Sequence, residues 1–169
     1  MDPILLGHGI FYINNKPTAL TKGGGKFTLE RDYREIEVDG TIGPVKGLID
    51  VEKSVAKLEI NQLTIVPKDF GEMYPAMAID IQTPGTVKIT GTATIKDSDY
   101  QSTVHWIGKT IKGKPVKITL HNAINLENID WDLQDKSEVV NKLTYTATYD
   151  LEQEEVKEPW DIEWGVEVV

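Results

Sequence analysis

Three histidines, His8, His105 and His121, are the side chains best suited to proton transfer or metal binding. Either role needs two or three such groups converging on one point. His8 lies near the N-terminus, and His105 and His121 fall in separate strand-like segments with no carboxylate or second histidine at ligand spacing. They read as solvent-facing or pairing strand histidines. Ser98 and Ser102 lack the G-x-S-x-G surround of a nucleophile elbow. There is no cysteine, which excludes disulfides, thiolate catalysis and zinc–thiolate centres. The acidic run ENIDWDLQD gathers Glu127, Asp130, Asp132 and Asp135 without the spacing or the glycine of a calcium loop, so it reads as a solvated loop. Gly23-Gly24-Gly25 is followed by the strand-like KFTLE and lacks the G-K-[ST] continuation of a phosphate loop. It reads as a flexible turn. The expectation is a protein that is not an enzyme and holds no cofactor and no metal.

The elements around these residues follow a period of two, the signature of strands with one buried face. Val87, Ile89, Ala93 and Ile95 alternate with Lys and Thr across 86–96. Residues 115–126 and 139–149 do the same with Val116, Ile118 and Leu120, and with Leu143, Tyr145 and Ala147. In VAKLEINQLTIV, residues 55–66, the parity slips after Ile60, which predicts a β-bulge near Asn61-Gln62 or a strand passing between sheets. A single short helix is expected in PKDFGEMYPAM, with Phe70, Met73 and Tyr74 on one face and Pro75 limiting it. The fold class is mainly β: an antiparallel β-sandwich or half-barrel with one short flanking α-helix and a long protruding β-hairpin. One domain spans 1–169, with an N-terminal arm at 1–8 and an acidic C-terminal arm at about 151–169.

A length of 169 residues suffices for a real core, and no apolar run approaches a transmembrane span. MDPILLGHGIF lacks the basic and long apolar regions of a signal peptide, so synthesis in the cytoplasm is expected. The net charge of −9 is concentrated from Glu127 onward, where thirteen acidic residues face Lys136, Lys142 and Lys157. A basic nucleic-acid footprint is missing, and an acidic surface repels DNA.

The hairpin is the unusual element. GKFTLERDYREIEVDG runs into the turn chemistry of DGTIGPVKG and returns through VKGLIDVEKSVAKLEI. One approach face carries Glu30, Asp32 and Arg34, and the other Arg31, Tyr33, Glu35 and Glu37, so neither is an ordinary core face. Exposed strand edges invite aggregation unless a partner covers them. The expected subunit interface is Arg31, Tyr33, Arg34, Glu35, Glu37, Asp39, Gly40, Gly43, Pro44, Lys46 and Gly47. Trp160 and Trp164, in the tail EEVKEPWDIEW, are expected to dock the C-terminal arm on the domain or on a neighbour.

From LLGHGIFYINN through TKGGGKFTLERDYREIEVDGTIGPVKGLIDVEKSVAKLEINQL, the sequence resembles the major tail tube proteins of tailed bacteriophages. GKFTLERDYREIEVDG with GPVKG is the most specific part, and KLTYTATYD fits downstream. The resemblance implies hexameric rings, sheets of six subunits joined around a lumen, and rings stacked head to tail into a hollow tube for DNA passage without specific binding. It further implies a tape-measure protein, tail-tip or baseplate proteins and tail terminator proteins as partners, no membrane, and location in the virion tail after assembly in the host cytoplasm. The alternatives are the inner tube of a contractile injection system or bacteriocin, and a carbohydrate-binding β-sandwich using Trp106, Trp131, Trp160 and Trp164 as stacking platforms.

Overall fold

Alternating β-branched and polar residues build ten strands in the computed structural model, which describes residues 4–18, 20–82, 84–152 and 157–165. They are β1 (Leu5–Ile13), β2 (Lys16–Pro17), β3 (Thr21–Glu35), β4 (Ile49–Gln62), β5 (Met77–Gln82), β6 (Thr86–Gly91), β7 (Gln101–Thr110), β8 (Pro115–Asn125), β9 (Asn141–Ala147) and β10 (Trp160–Trp164). Every pairing is antiparallel. The main sheet runs β2-β1-β7-β8-β9-β4-β3, with β10 also on β8, while β5 and β6 form a separate two-stranded sheet. The expected β-rich, sandwich-like fold with one short helix is what forms.

Strand β8 divides the sheet into two leaves. On the side away from β7, its residues Val116–Leu120 pair with β10, and Ala123–Asn125 pair with β9. The chain changes partner across His121 and Asn122, where Asn122 takes a left-handed φ of 49°. One leaf is therefore β2-β1-β7-β8-β10 and the other β8-β9-β4-β3. Between them lie Phe11, Leu58, Ile60, Val104, Trp106, Leu120, Leu143 and Tyr145, all buried. The leaves meet closely at Gly25: a methyl there would lie 2.3 Å from both the Phe11 ring and the Glu59 carbonyl oxygen. Only glycine lets the β1 aromatic rest on the β3 backbone.

Four expectations need correction. Gly23-Gly24-Gly25 lies inside β3, where Gly23 and Gly24 have φ of 81° and 69° and the register jumps from Thr21↔Gln62 to Gly25↔Ile60. The extra residues sit on β3, so β4 has no bulge at Asn61-Gln62. It keeps Ala56, Leu58, Ile60 and Gln62 inward up to its end, and Leu63 and Ile65 lie beyond the strand. The segment 86–96 is strand only to Gly91: Thr92 N–H donates to the Ala76 carbonyl and Ala93 turns with φ 59°. The N-terminal arm joins the sheet from Leu5, since β1 pairs with β7 from there, and residues 1–3 lie outside the described residues.

The helix is one 3-10 turn, Pro67–Asp69, followed by α1, Phe70–Met73. It buries Phe70, Met73 and Tyr74 as the pattern requires. Buried polar groups hold it to the sheet. Asn125 donates to the Met73 carbonyl at 2.7 Å, Tyr145 hydroxyl to the Glu72 carbonyl at 2.8 Å, and Tyr74 hydroxyl to Asn141 Oδ1 at 2.6 Å. Free carbonyls at a helix end are satisfied by sheet side chains, which orients a turn too short to be stable alone.

Candidate assembly surface

Strands β3 and β4 pair from the core to the far end of the hairpin, and the register changes once in the distal half. Asp32 stands opposite Lys53, then Tyr33 opposite Val51, leaving Glu52 as one extra residue on β4. A bulge of this kind flips the strand's parity. Inward residues of β4 are even-numbered up to Ser54, yet beyond the bulge Val51 and Ile49 share the face of Arg31, Tyr33 and Glu35. The core-facing side thus continues outward as Tyr33, Val51 and Ile49, with no core left to cover it. The opposite side sets Asp32 across from Lys53 and Arg34 across from Asp50, opposite charges at cross-strand positions.

From Asp32 to Lys53 nearly every residue is exposed, including Tyr33 at 58% and Ile42 fully. Ile36, Val38, Ile49 and Val51 complete an apolar group that sequence reasoning missed, because it weighed the charges of the outgoing strand and did not anticipate the parity change on the return. The tip is nevertheless shaped. Thr41 N–H donates to the Val38 carbonyl at 3.2 Å around Gly40, and Leu48 N–H to the Val45 carbonyl at 3.1 Å around Gly47. With φ of 86° and 87°, these glycines hold the third position of two type II-like turns. Gly43 takes no such φ, and an added methyl there would meet open space. Ile36 N–H donates to the Leu48 carbonyl and closes the loop at its neck.

The hairpin base is fixed by the C-terminal strand. Arg31 donates to Glu158 Oε2 at 2.6 Å and lies 5.9 Å from the Trp160 ring centre, and Trp160 packs on Phe27. Trp160 Nε1–H donates to the same carboxylate at 3.1 Å. The Ser54 hydroxyl and the Arg31 guanidinium hold the Glu158 carboxyl below the usual carboxylate range, and Glu158 raises Arg31 in turn. Of the expected interface residues, Arg31 is therefore half-buried at the root, and Tyr33 to Gly47 are gathered on the arm. Trp160 docks on its own domain, while Trp164 ends β10 with 54% of its surface exposed.

The chemistry-bearing residues are dispersed. His105 is buried under Tyr12, ring centres 4.8 Å apart, and burial with nearby Lys117 lowers its pKa to about 4. His121 Nε2 reaches Asp161 Oδ2 at 2.7 Å through the β8–β10 pairing, a partnership invisible in sequence spacing. Among the described residues, no group of three or more histidines and carboxylates is placed to hold a metal. Trp106 belongs to the core, and Trp131 stands edge-on to Phe70 and donates to Asn141, so the tryptophans do not form a common stacking platform. Among the described residues, the longest strand edges without a partner are β3 along its length and β1 from Leu5 to Ile10, since β2 covers only Tyr12 and Ile13 and Thr18 N–H bonds the Phe11 carbonyl. The chain matches no family model and no curated protein sequence.

Proposed function

We infer that this chain is a structural subunit that assembles with copies of itself into a phage tail tube, as hexameric rings stacked around a channel for DNA. The observation that carries this reading is the arm from Asp32 to Lys53. It holds six exposed large apolar side chains on a backbone shaped by its own hydrogen bonds. Burial stabilises by roughly 25 cal/mol per Å² of apolar surface, so covering that group in a neighbour contributes several kcal/mol per contact. The unpartnered edges of β3 and β1 offer further backbone pairing. A chain of net charge −9 supplies a wall that repels phosphate, which suits DNA in transit. The hexameric count, the tape-measure, tail-tip and terminator partners, and the place in the virion tail rest on the resemblance of residues 5–63 to tail tube proteins. The same surface serves the inner tube of a contractile system, where a sheath encloses it.

Replacing Tyr33, Ile49 and Val51 together by serine tests the reading. The variant should keep the wild-type melting temperature and lose assembly; a variant that assembles normally would contradict it.

A further inference from the structure

Between Asp99 and Glu127 the chain carries no acidic residue, while Lys109, Lys112, Lys114 and Lys117 cluster around the β7–β8 turn. In a chain of net charge −9 this turn is a local basic cluster, with Glu163 of β10 across from Lys117 and Lys109, Lys112 and Lys114 beyond it. Lys109, Lys112 and Lys114 are exposed. Beside them runs an open groove of about 690 Å³ across β1, β7 and β8, lined by Ile10, Tyr12, Ile107 and Pro115 together with Lys109. Ile10 in its lining and Ile111 in the adjoining turn are each more than half exposed.

The hairpin arm has the converse character. Asp32 and Arg34 face Lys53 and Asp50 across the strands, which leaves Glu35, Glu37, Asp39 and Glu52 against Lys46 alone. Its apolar side chains stand beside this acidic excess. We propose that the basic β7–β8 turn and its groove receive the hairpin arm of a second copy of this chain. The proposal rests on the self-assembly reading and adds to it the surface that the hairpin grips. Apolar side chains of the arm enter the groove, and the flanking carboxylates meet the turn lysines, which fix register and orientation. Because the two patches differ, the contact is heterologous and each added subunit presents a fresh patch for the next, as rings and tubes require.

Charge reversal tests this on the full chain. The hairpin variant E35K/E37K/D39K and the turn variant K109E/K112E/K114E change exposed side chains, and circular dichroism should show wild-type folds. In sedimentation velocity at low salt, each variant alone should associate at least tenfold more weakly than wild type. An equimolar mixture should recover association, since a basic arm then meets an acidic turn and an acidic arm a basic one. Either variant associating like wild type, or a mixture as dissociated as its components, overturns the proposal while wild-type assembly keeps the broader reading intact. A wild-type chain that never associates would sink both. Should a reversal variant misfold, the absence of native cysteine offers a second route. Mixed Asp39→Cys and Lys112→Cys chains should form a disulfide-linked dimer under mild oxidation, well above a Lys88→Cys control, and equal yields would refute the contact.

Discussion

Replacing Gly40 and Gly47 together by alanine separates assembly from folding. Both glycines hold φ near 86°, and an added methyl would meet nothing within 4 Å at either site. The cost is therefore backbone conformation alone, about 1–2 kcal/mol for each L-residue forced left-handed. In the free subunit the exposed tip can relax locally without disturbing the core, so melting should shift by no more than about 2 °C. In the assembly the arm must hold its turn shape, and the full penalty of about 2–4 kcal/mol falls on each contact. At 1.4 kcal/mol per factor of ten, this weakens the contact by roughly 30- to 700-fold. The assay is the critical concentration for assembly, read by light scattering beside calorimetry. Gly43→Ala, in the same loop without the left-handed φ, should behave as wild type. A double variant with an unchanged critical concentration, or a Gly43→Ala variant equally impaired, would refute the reasoning.

Three further outcomes concern the scaffold. Gly25→Ala forces a methyl against the Phe11 ring and the Glu59 carbonyl and should cost about 1–3 kcal/mol, lowering the melting temperature by several degrees, whereas Gly7→Ala, with open space around it, should not. Asn141→Leu removes the acceptor of Tyr74 hydroxyl and Trp131 Nε1–H and should lower stability by about 1–3 kcal/mol in urea titration. For His105, the folded pKa of about 4 lies below the ordinary 6.5, so the unfolded chain binds more protons between those values. Its contribution is intact above pH 6.5 and is lost as pH falls to 4, on the order of 3 kcal/mol in all. His105→Gln should show a shallower decline in stability over that range, and identical slopes would remove the histidine from the account.

The strands were legible where alternation is uninterrupted, as in Val116–Leu120 and Leu143–Ala147, because one buried face imposes period two whatever the neighbours are. The helix face was legible through its own spacing, Phe70, Met73 and Tyr74 at i, i+3 and i+4, though its anchoring by Asn125 and Asn141 was not, since those contacts join residues 52 and 67 positions apart. Irregular backbone was misplaced. The parity slip after Ile60 looks like a bulge in sequence but marks a strand end, whereas the true parity change at Glu52 hides among residues that are all exposed. Glycine identity alone could not tell a flexible turn at 23–25 from an in-strand irregularity capped by a close approach to Phe11. The hairpin was visible through its charge and turn residues, but its apolar group depends on register. The basic turn at Lys109–Lys117 becomes a surface only when β1 lies beside β7 to form the groove.

The central claim is that this chain assembles with itself through the hairpin arm. The most direct measurement is multi-angle light scattering with negative-stain microscopy on the purified protein over a rising concentration series, with and without tail-tip complexes as seeds. The account predicts rings or hollow tubes; a strict monomer at every concentration, seeded as well as unseeded, would contradict it.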